Sequence, residues 1–582
     1  YAEGAAAGAE VSVGLNVNQT RGTQSQLAGI SAGNDLSIDV DNDATLIGVN
    51  VDAGNDIEVD FGGELEIAAQ QDRSVSTGFG IQGTVGAQVS ALPGATGPTA
   101  SVAFGASNTE SIDVTQTAFS AGGNIRISGE GNARIAGVEV TAGNNAELDV
   151  GDLTVETLSD RSTTTGFGVE LSTPNQLARG RAPISVGVTN ESTNQIDATA
   201  GIIAGNNLDI DSSGTVTNRG GRLSAEQELN IDAQNLINES ITETAVAQTG
   251  DGAVNYQTLG STATIEGGTV NLNISSESSD KGNLVNRGGA IRSRTGALEI
   301  QTTGDIVNEA LIAEQVSDVE VGNLGRLLGR QTFTKRSDFI GGTIEGATDL
   351  TLDARGEVVN IASDIGAEND VNIIADEGFF QRNLAEAYTL EDSISLGGGS
   401  SSEGSSSVSA SGGTFADFEA NAEASVSGSQ DLISGSFRQG VENRSATVTG
   451  SNVRITSRNG DVTSIGSDIA STGETLIEAT EGDINLIADS IITESSSFAL
   501  SAGGSAEASA GGSGLSYRAD ASAEGGLSLS GQSQQTANFL NSTVTGNNIT
   551  LRAQNVRGVG AEVVADNNIS VDAEEDVSFT AA

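Results

Sequence analysis

A phrase that returns 21 residues later constrains this chain more than any other feature. Ala32-Gly33-Asn34-Asp35 comes back as Ala53-Gly54-Asn55-Asp56. Each copy opens an alternating run, Leu36, Ile38, Val40 in the first and Ile57, Val59, Phe61 in the second. A second apolar burst follows, Leu46, Val49, Val51 and then Leu65, Ile67. Alternation at period two marks a strand with one buried face. A fixed period near 20 residues marks a solenoid, whose units bury their apolar faces only by stacking on one another.

The rest of the chain keeps the pattern. A second pair of units starts at Ala121 and Ala142, a third at Ala204 and Ala225, and a less regular fourth fills 263–312. The fifth aligns Asp349-Leu350 with Asp370-Val371; the sixth lies at about 448–489; the seventh aligns Asn548-Ile549 with Asn568-Ile569. Val-x-Asn-Arg-Gly-Gly ends at Gly221, and a form one residue shorter runs Val285–Gly289.

Between the pairs lie insertions near 73–118, 161–199, 241–262, 313–338, 377–445 and 490–542. The first two alternate outward and back, and their outgoing arms share Thr-Gly-Phe-Gly, at Thr77–Gly80 and Thr165–Gly168. Their tips hold Pro93, Pro98, Pro174 and Pro183, the only prolines in the chain. Proline cannot donate to a ladder, so central strands exclude it. Residues 1–29, with Val11, Val13, Leu15 and Val17, read as the return arm of a truncated hairpin; residues 30–582 read as one continuous solenoid. The Gly/Ser run at 397–407 reads as hairpin edge or tip, because alternation continues on both sides. The Gly-Asn and Asn-Asp corners are expected to supply residues at φ > 0, and stacked amides to form ladders.

Composition removes whole classes of chemistry. There is no His and no Cys, so Ser-His, Cys-His, His-zinc, thiolate and disulfide arrangements are all absent. The net charge is −52 and only Lys281 and Lys335 are lysines, which argues against nucleic acid and anionic membranes as partners. No run of about 18 apolar residues spans a bilayer as a helix. The chain starts at Tyr1 with no signal peptide and contains no Met, so it is expected to be an internal piece of a longer polypeptide.

No catalytic, cofactor-binding or metal-ligating residue is assigned. The acids Asp35, Asp39, Asp41, Asp43, Asp56, Glu58, Asp60, Glu64 and Glu66 offer paired carboxylates of the kind glycan-cleaving enzymes use. They recur in nearly every unit and alternate with aliphatic residues, so a solvated outer face is the plainer reading. Neither common calcium motif is intact; divalent cations are expected only as loosely held counterions. Gly78-Phe79-Gly80 lacks the helix and Lys of a phosphate loop. Arg326, Arg330, Lys335 and Arg336 form the one locally basic insertion, read as a solvated loop.

Taken together, the Ala-Gly-Asn units, the stretch from Val216 to Asn238 and the Thr-Gly-Phe-Gly excursions resemble the haemagglutinin-repeat region of two-partner secretion exoproteins. That group includes filamentous haemagglutinin adhesins and the stalks of contact-dependent growth-inhibition proteins. The resemblance implies an all-β fold, a right-handed parallel β-helix of about 14 coils with extruded antiparallel hairpins. It also implies export through an outer-membrane partner transporter and display at a Gram-negative cell surface. Val441-Glu442-Asn443-Arg444 stops one residue short of the Val-Glu-Asn-Asn marker that precedes toxin domains in the second group, and reads as coincidence. The expected function is a non-catalytic shaft of a cell-surface filamentous adhesin, with an unknown receptor and lateral self-association as a further expectation. The alternatives are a contact-dependent inhibition stalk, a β-helix polysaccharide-degrading enzyme and a phage tail fibre.

Overall fold

Val, Ile and Leu at period two fold here into strands of four to six residues, each with its aliphatic side chains on one side. The computed structural model describes residues 6–90, 97–172, 184–249, 252–276, 282–317, 334–397, 403–411, 419–427, 431–502, 505–513, 516–524 and 527–582. Every regular element among them is a strand.

Each coil has three faces. In the first coil they are Ala28–Ala32, Leu36–Val40 and Ala44–Ile47; in the second, Val49–Ala53, Ile57–Phe61 and Leu65–Ala68. The coils stack in parallel register, Ile30 on Val51, Ile38 on Val59 and Leu46 on Ile67. The offsets legible in the sequence are the ladder registers themselves: Leu350 pairs with Val371, and Ile549 with Ile569. The third face builds a sheet of 14 strands, one per coil. The chain therefore forms a parallel β-helix, and at about 4.8 Å per coil the stack is about 67 Å long.

Inward side chains meet down the axis. Ile57, Val59, Leu65, Ile67, Ile125, Ile127 and their successors are buried almost completely and belong to one continuous cluster reaching Val556. Burying one such side chain stabilises by about 1.5–3 kcal/mol, and no coil achieves it alone.

The corners differ from expectation. None of the Ala-Gly-Asn corners is at positive φ. Their glycines answer to close approach instead: a Cβ on Gly54 would strike the Gly33 carbonyl, and the same holds for Gly122 over Gly54, Gly143 over Gly122 and Gly205 over Gly143. The left-handed residues stand at the corner after the third face. Gly48, Gly137, Gly220, Gly288, Ala362, Gly466 and Gly560 have φ between 49° and 67°. All close odd-numbered coils, which run straight on into the next. In the second, fourth, sixth, eighth, tenth and twelfth coils the chain leaves at that corner as an excursion.

The excursions pair with each other. Gln70–Ser90 and Gly97–Thr115 form the first hairpin, and Leu158–Ser172 with Ile184–Ala198 the second. They join in one nine-stranded antiparallel sheet that begins with Ala6–Gly22 and ends with Thr334–Ile340. Two coils rise about 9.6 Å, and two hairpin strands occupy the same width, so the layer stays in step with the helix. The fifth excursion starts at Leu384; Gly378–Arg382, expected within the insertion at 377–445, is instead the third face of the tenth coil. Residues 403–407 of the Gly/Ser run lie in the strand Glu403–Ser411. Pro98 lies opposite Ala87 in the first hairpin, whereas Pro93, Pro174, Pro183, Arg326 and Arg330 lie outside the described residues.

Candidate interaction surface and the ladders that support it

The phrase Val216-Thr217-Asn218-Arg219-Gly220-Gly221 resolves residue by residue. Val216 enters the core. Asn218, although polar, also points inward and is fully buried. Its Nδ2 donates to Asn238 Oδ1 at 2.8 Å, and the chain of amides continues through Asn286 at 2.7 Å, Asn308 at 2.8 Å and Asn360 at 3.0 Å. The same amides donate to corner carbonyls, Asn218 to Gly221 and Asn286 to Gly289, each at 3.0 Å. Each thus gives a second donor to a corner carbonyl that already accepts a backbone N–H, Gly221 from Thr264 at 2.9 Å and Gly289 from Thr343 at 2.8 Å. Gln381 and Ser464 extend the polar column, Gln381 donating to Ser464 at 2.9 Å. Sequence reasoning missed this column. Its signal was an Asn recurring where alternation asks for an aliphatic residue, in Leu236-Ile237-Asn238, Leu284-Val285-Asn286, Ile306-Val307-Asn308 and Val358-Val359-Asn360.

Arg219, the next residue, faces outward in a second column of alternating sign. It runs Glu66, Arg134, Glu156, Arg219, Glu239, Arg287, Glu309. Arg287 lies 2.9 Å from Glu239 and 2.7 Å from Glu309, and hydrogen bonds to these two carboxylates raise its pKa further above the usual guanidinium range.

The acids singled out in the sequence are distributed over corners and outer faces. Asp43 accepts the Glu64 N–H at 2.9 Å, Asp56 the Asn124 N–H at 2.7 Å, and Asp35 the Asn55 amide at 2.7 Å. Glu66 belongs to the alternating column. Asp39 and Asp60 are register neighbours on the second face, as are Asp149, Asp211 and Asp232 farther along. Burial, then Asp149 and Asp232, raise the Asp211 pKa. Glu266 is the exception to the exposed pattern, its side chain 4% accessible and gripped by Arg222 and by Arg292 at 2.9 Å. Burial pushes its pKa up, but the hydrogen bonds from the two arginines outweigh it and leave it lowered. Among the described residues no group of three or more acids is arranged to hold a metal ion. The tetrapeptide Val441–Arg444 ends a strand; Arg444 pairs with Asp364 at 2.7 Å and donates from Nε to the Ala362 carbonyl at 2.7 Å.

The excursion layer has two unlike faces. Register places Val17, Phe79, Ala106 and Phe167 in one row, and Leu15, Ile81, Phe104 and Val169 in the next. Between them on the opposite face lie Asn16, Gly80, Gly105 and Gly168. The repeated Thr-Gly-Phe-Gly is thus a ring on one side flanked by bare backbone on the other. Nearer the base that second face carries hydroxyl pairs, Ser74 with Ser111 at 2.7 Å and Thr109 with Thr164 at 2.9 Å. A Cβ added to Gly168 would meet only the Phe104 carbonyl, at 4.0 Å, so no coil covers this face there. The apolar face is open too, with Val13 73% and Phe167 51% exposed.

Side chains on outgoing arms clamp the preceding return arms. Asp72 accepts the Ser25 N–H at 2.9 Å, Asp160 the Val114 N–H at 2.6 Å and Glu243 the Ile196 N–H at 2.7 Å. The Ser25 N–H holds the Asp72 pKa below its usual value.

A family model described as Hemagglutinin repeat matches residues 1–83, 76–170 and 434–582, more than half of the chain. The chain belongs to the haemagglutinin-repeat family. The matched regions cover coils and excursions alike, so the unit this family repeats includes both. No curated protein matches the chain, and no solved structure does.

Proposed function

We propose that this haemagglutinin-repeat chain is the non-catalytic shaft of a secreted filamentous adhesin, displayed at a Gram-negative cell surface. The observation that supports it best is repetition. Each pair of coils is built like the next, and the acids are spread along columns rather than gathered in one cleft. A molecule built this way works through length, stiffness and lateral surface. Export through an outer-membrane partner transporter follows from the family reading and fits a chain without cysteine. The excursion layer supplies the surface for cells, matrix or neighbouring filaments, and its strand edges suit pairing with extended segments.

The test is attachment. Cells displaying the shaft should adhere to host cells or matrix better than cells lacking it, and the purified chain should compete. Growth inhibition of neighbouring bacteria without any change in attachment would refute this reading and favour the stalk of a contact-dependent inhibition protein.

A further inference from the structure

We propose that the apolar face of the excursion layer is where two copies of the chain meet, face to face and rod beside rod. This deepens the shaft reading by naming a partner for its lateral surface, and it rests on that reading only in taking the molecule to be a rod.

Three observations carry it. The first is charge. The molecule carries −52 overall, so two copies repel almost everywhere. The rows through Val17, Leu15 and Val13 bear no charged side chain on the apolar face among the described residues, whereas Arg73 and Glu110 pair nearer the base. This strip is where two such rods can touch without bringing like charges together. The second is shape. The rows Val17–Phe79–Ala106–Phe167 and Leu15–Ile81–Phe104–Val169 cross the strands, so they run along the stacking axis at the strand spacing. A surface pleated at about 4.8 Å along a straight line finds its match in another sheet of the same pitch. A second copy presents that sheet.

The third is extent. Four strands and three rows make a strip of roughly 19 by 20 Å. Two such strips bury about 800 Å² together, below the size of a stable complex, which sets a weak, reversible association. Among the described residues the opposite face, bared by Gly80, Gly105 and Gly168, has no comparable apolar side chains to bury.

The experiment uses the whole chain, which has no cysteine of its own. Sedimentation equilibrium at tens of micromolar should show reversible dimers, tightening as salt screens the acids. Phe79→Glu with Phe167→Glu should weaken association at least ten-fold while circular dichroism and melting stay unchanged, since both rings are exposed. In Ala106→Cys a short bis-maleimide should link copies, whereas in Ser107→Cys, one residue on and facing the other way, it should not. Monomers at every salt concentration would overturn the proposal. So would dimers that survive the double substitution or cross-link from position 107, and so would monomers that instead bind uncharged phosphatidylcholine vesicles through the same rings. Loss of cell attachment with dimers intact would count against the adhesin alone.

Discussion

Asn286 Nδ2 lies 2.8 Å from Asn308 Oδ1, and both side chains are completely buried. Asn286 also accepts from Asn238 at 2.7 Å and donates to the Gly289 carbonyl at 3.0 Å. Removing it takes the acceptor from Asn238 Nδ2 and the donor from Asn308 Oδ1, while the Gly289 carbonyl keeps the Thr343 N–H at 2.8 Å. Each buried polar group left alone costs about 1–3 kcal/mol. Asn286→Leu, close in volume, should therefore destabilise by about 3 kcal/mol. Because neighbouring coils carry their own contacts, the loss should be local. Hydrogen exchange should accelerate in the sixth to ninth coils and hardly change beyond. Asn218 ends the column and its Oδ1 already lacks a donor, so Asn218→Leu should cost clearly less. Equal losses at both positions would contradict the ladder.

The left-handed corner makes a second prediction. Gly288 sits at φ +59°, and a Cβ there would press on Leu311 Cβ and the Ile340 carbonyl. Gly288→Ala should cost about 1–3 kcal/mol from backbone strain and crowding together, read as a lower urea midpoint. Ala362 holds the equivalent corner at φ +49° with its methyl buried. Replacing it by glycine relieves strain of about 1–2 kcal/mol but loses a buried methyl worth about 0.8, so Ala362→Gly should be nearly neutral.

Two carboxylates should respond to pH with opposite sign. The folded-state pKa of Glu266 is lowered, so its contribution is present above the unfolded value and fades as pH falls through the folded one. Glu266→Gln should lower the melting temperature at pH 7, and the difference should shrink as pH drops below about 4. Asp211 is raised, so its contribution is present below the unfolded value and disappears as pH rises through the folded one. Asp211→Asn should raise the melting temperature at pH 7, and that gain should vanish in acid, below about pH 4. Melting curves of the three proteins across this range decide it; parallel curves would mean that neither group feels its neighbours.

The sequence made the fold legible because register and repeat are the same number: Ala32 to Ala53 in the chain is Ala32 on Ala53 in the ladder. It made the third face hard to see. Leu46 and Val49 read as one apolar burst, yet Gly48 separates them onto two faces. The buried asparagines were hidden because polarity is normally evidence for an outer position, and only stacking lets one amide satisfy the next. Excursion faces were half legible. Alternation gave Phe79 and Ile81 a common side, but nothing local says whether that side is covered, since this depends on chain far away.

The base of the excursions offers a final test. Val114 is 4% exposed, and its N–H donates to Asp160 Oδ1 at 2.6 Å. The bond joins the return arm of the first excursion to the outgoing arm of the second, beside the small cluster of Ala69, Val114 and Ala198. Asp160→Ala leaves that N–H buried without an acceptor, at about 1–3 kcal/mol. Asp160→Asn keeps an oxygen there, lacks the charge that strengthens the bond, and should lose only part of this. If the clamp couples the hairpins, amides at 70–115 and 158–198 should exchange faster in Asp160→Ala, and those of the fourth coil should not. The coil strands carry their own ladders and core, so the excursion layer should loosen while the stack beneath it holds. Faster exchange spread evenly through the fourth coil would instead make Asp160 a support of the helix itself.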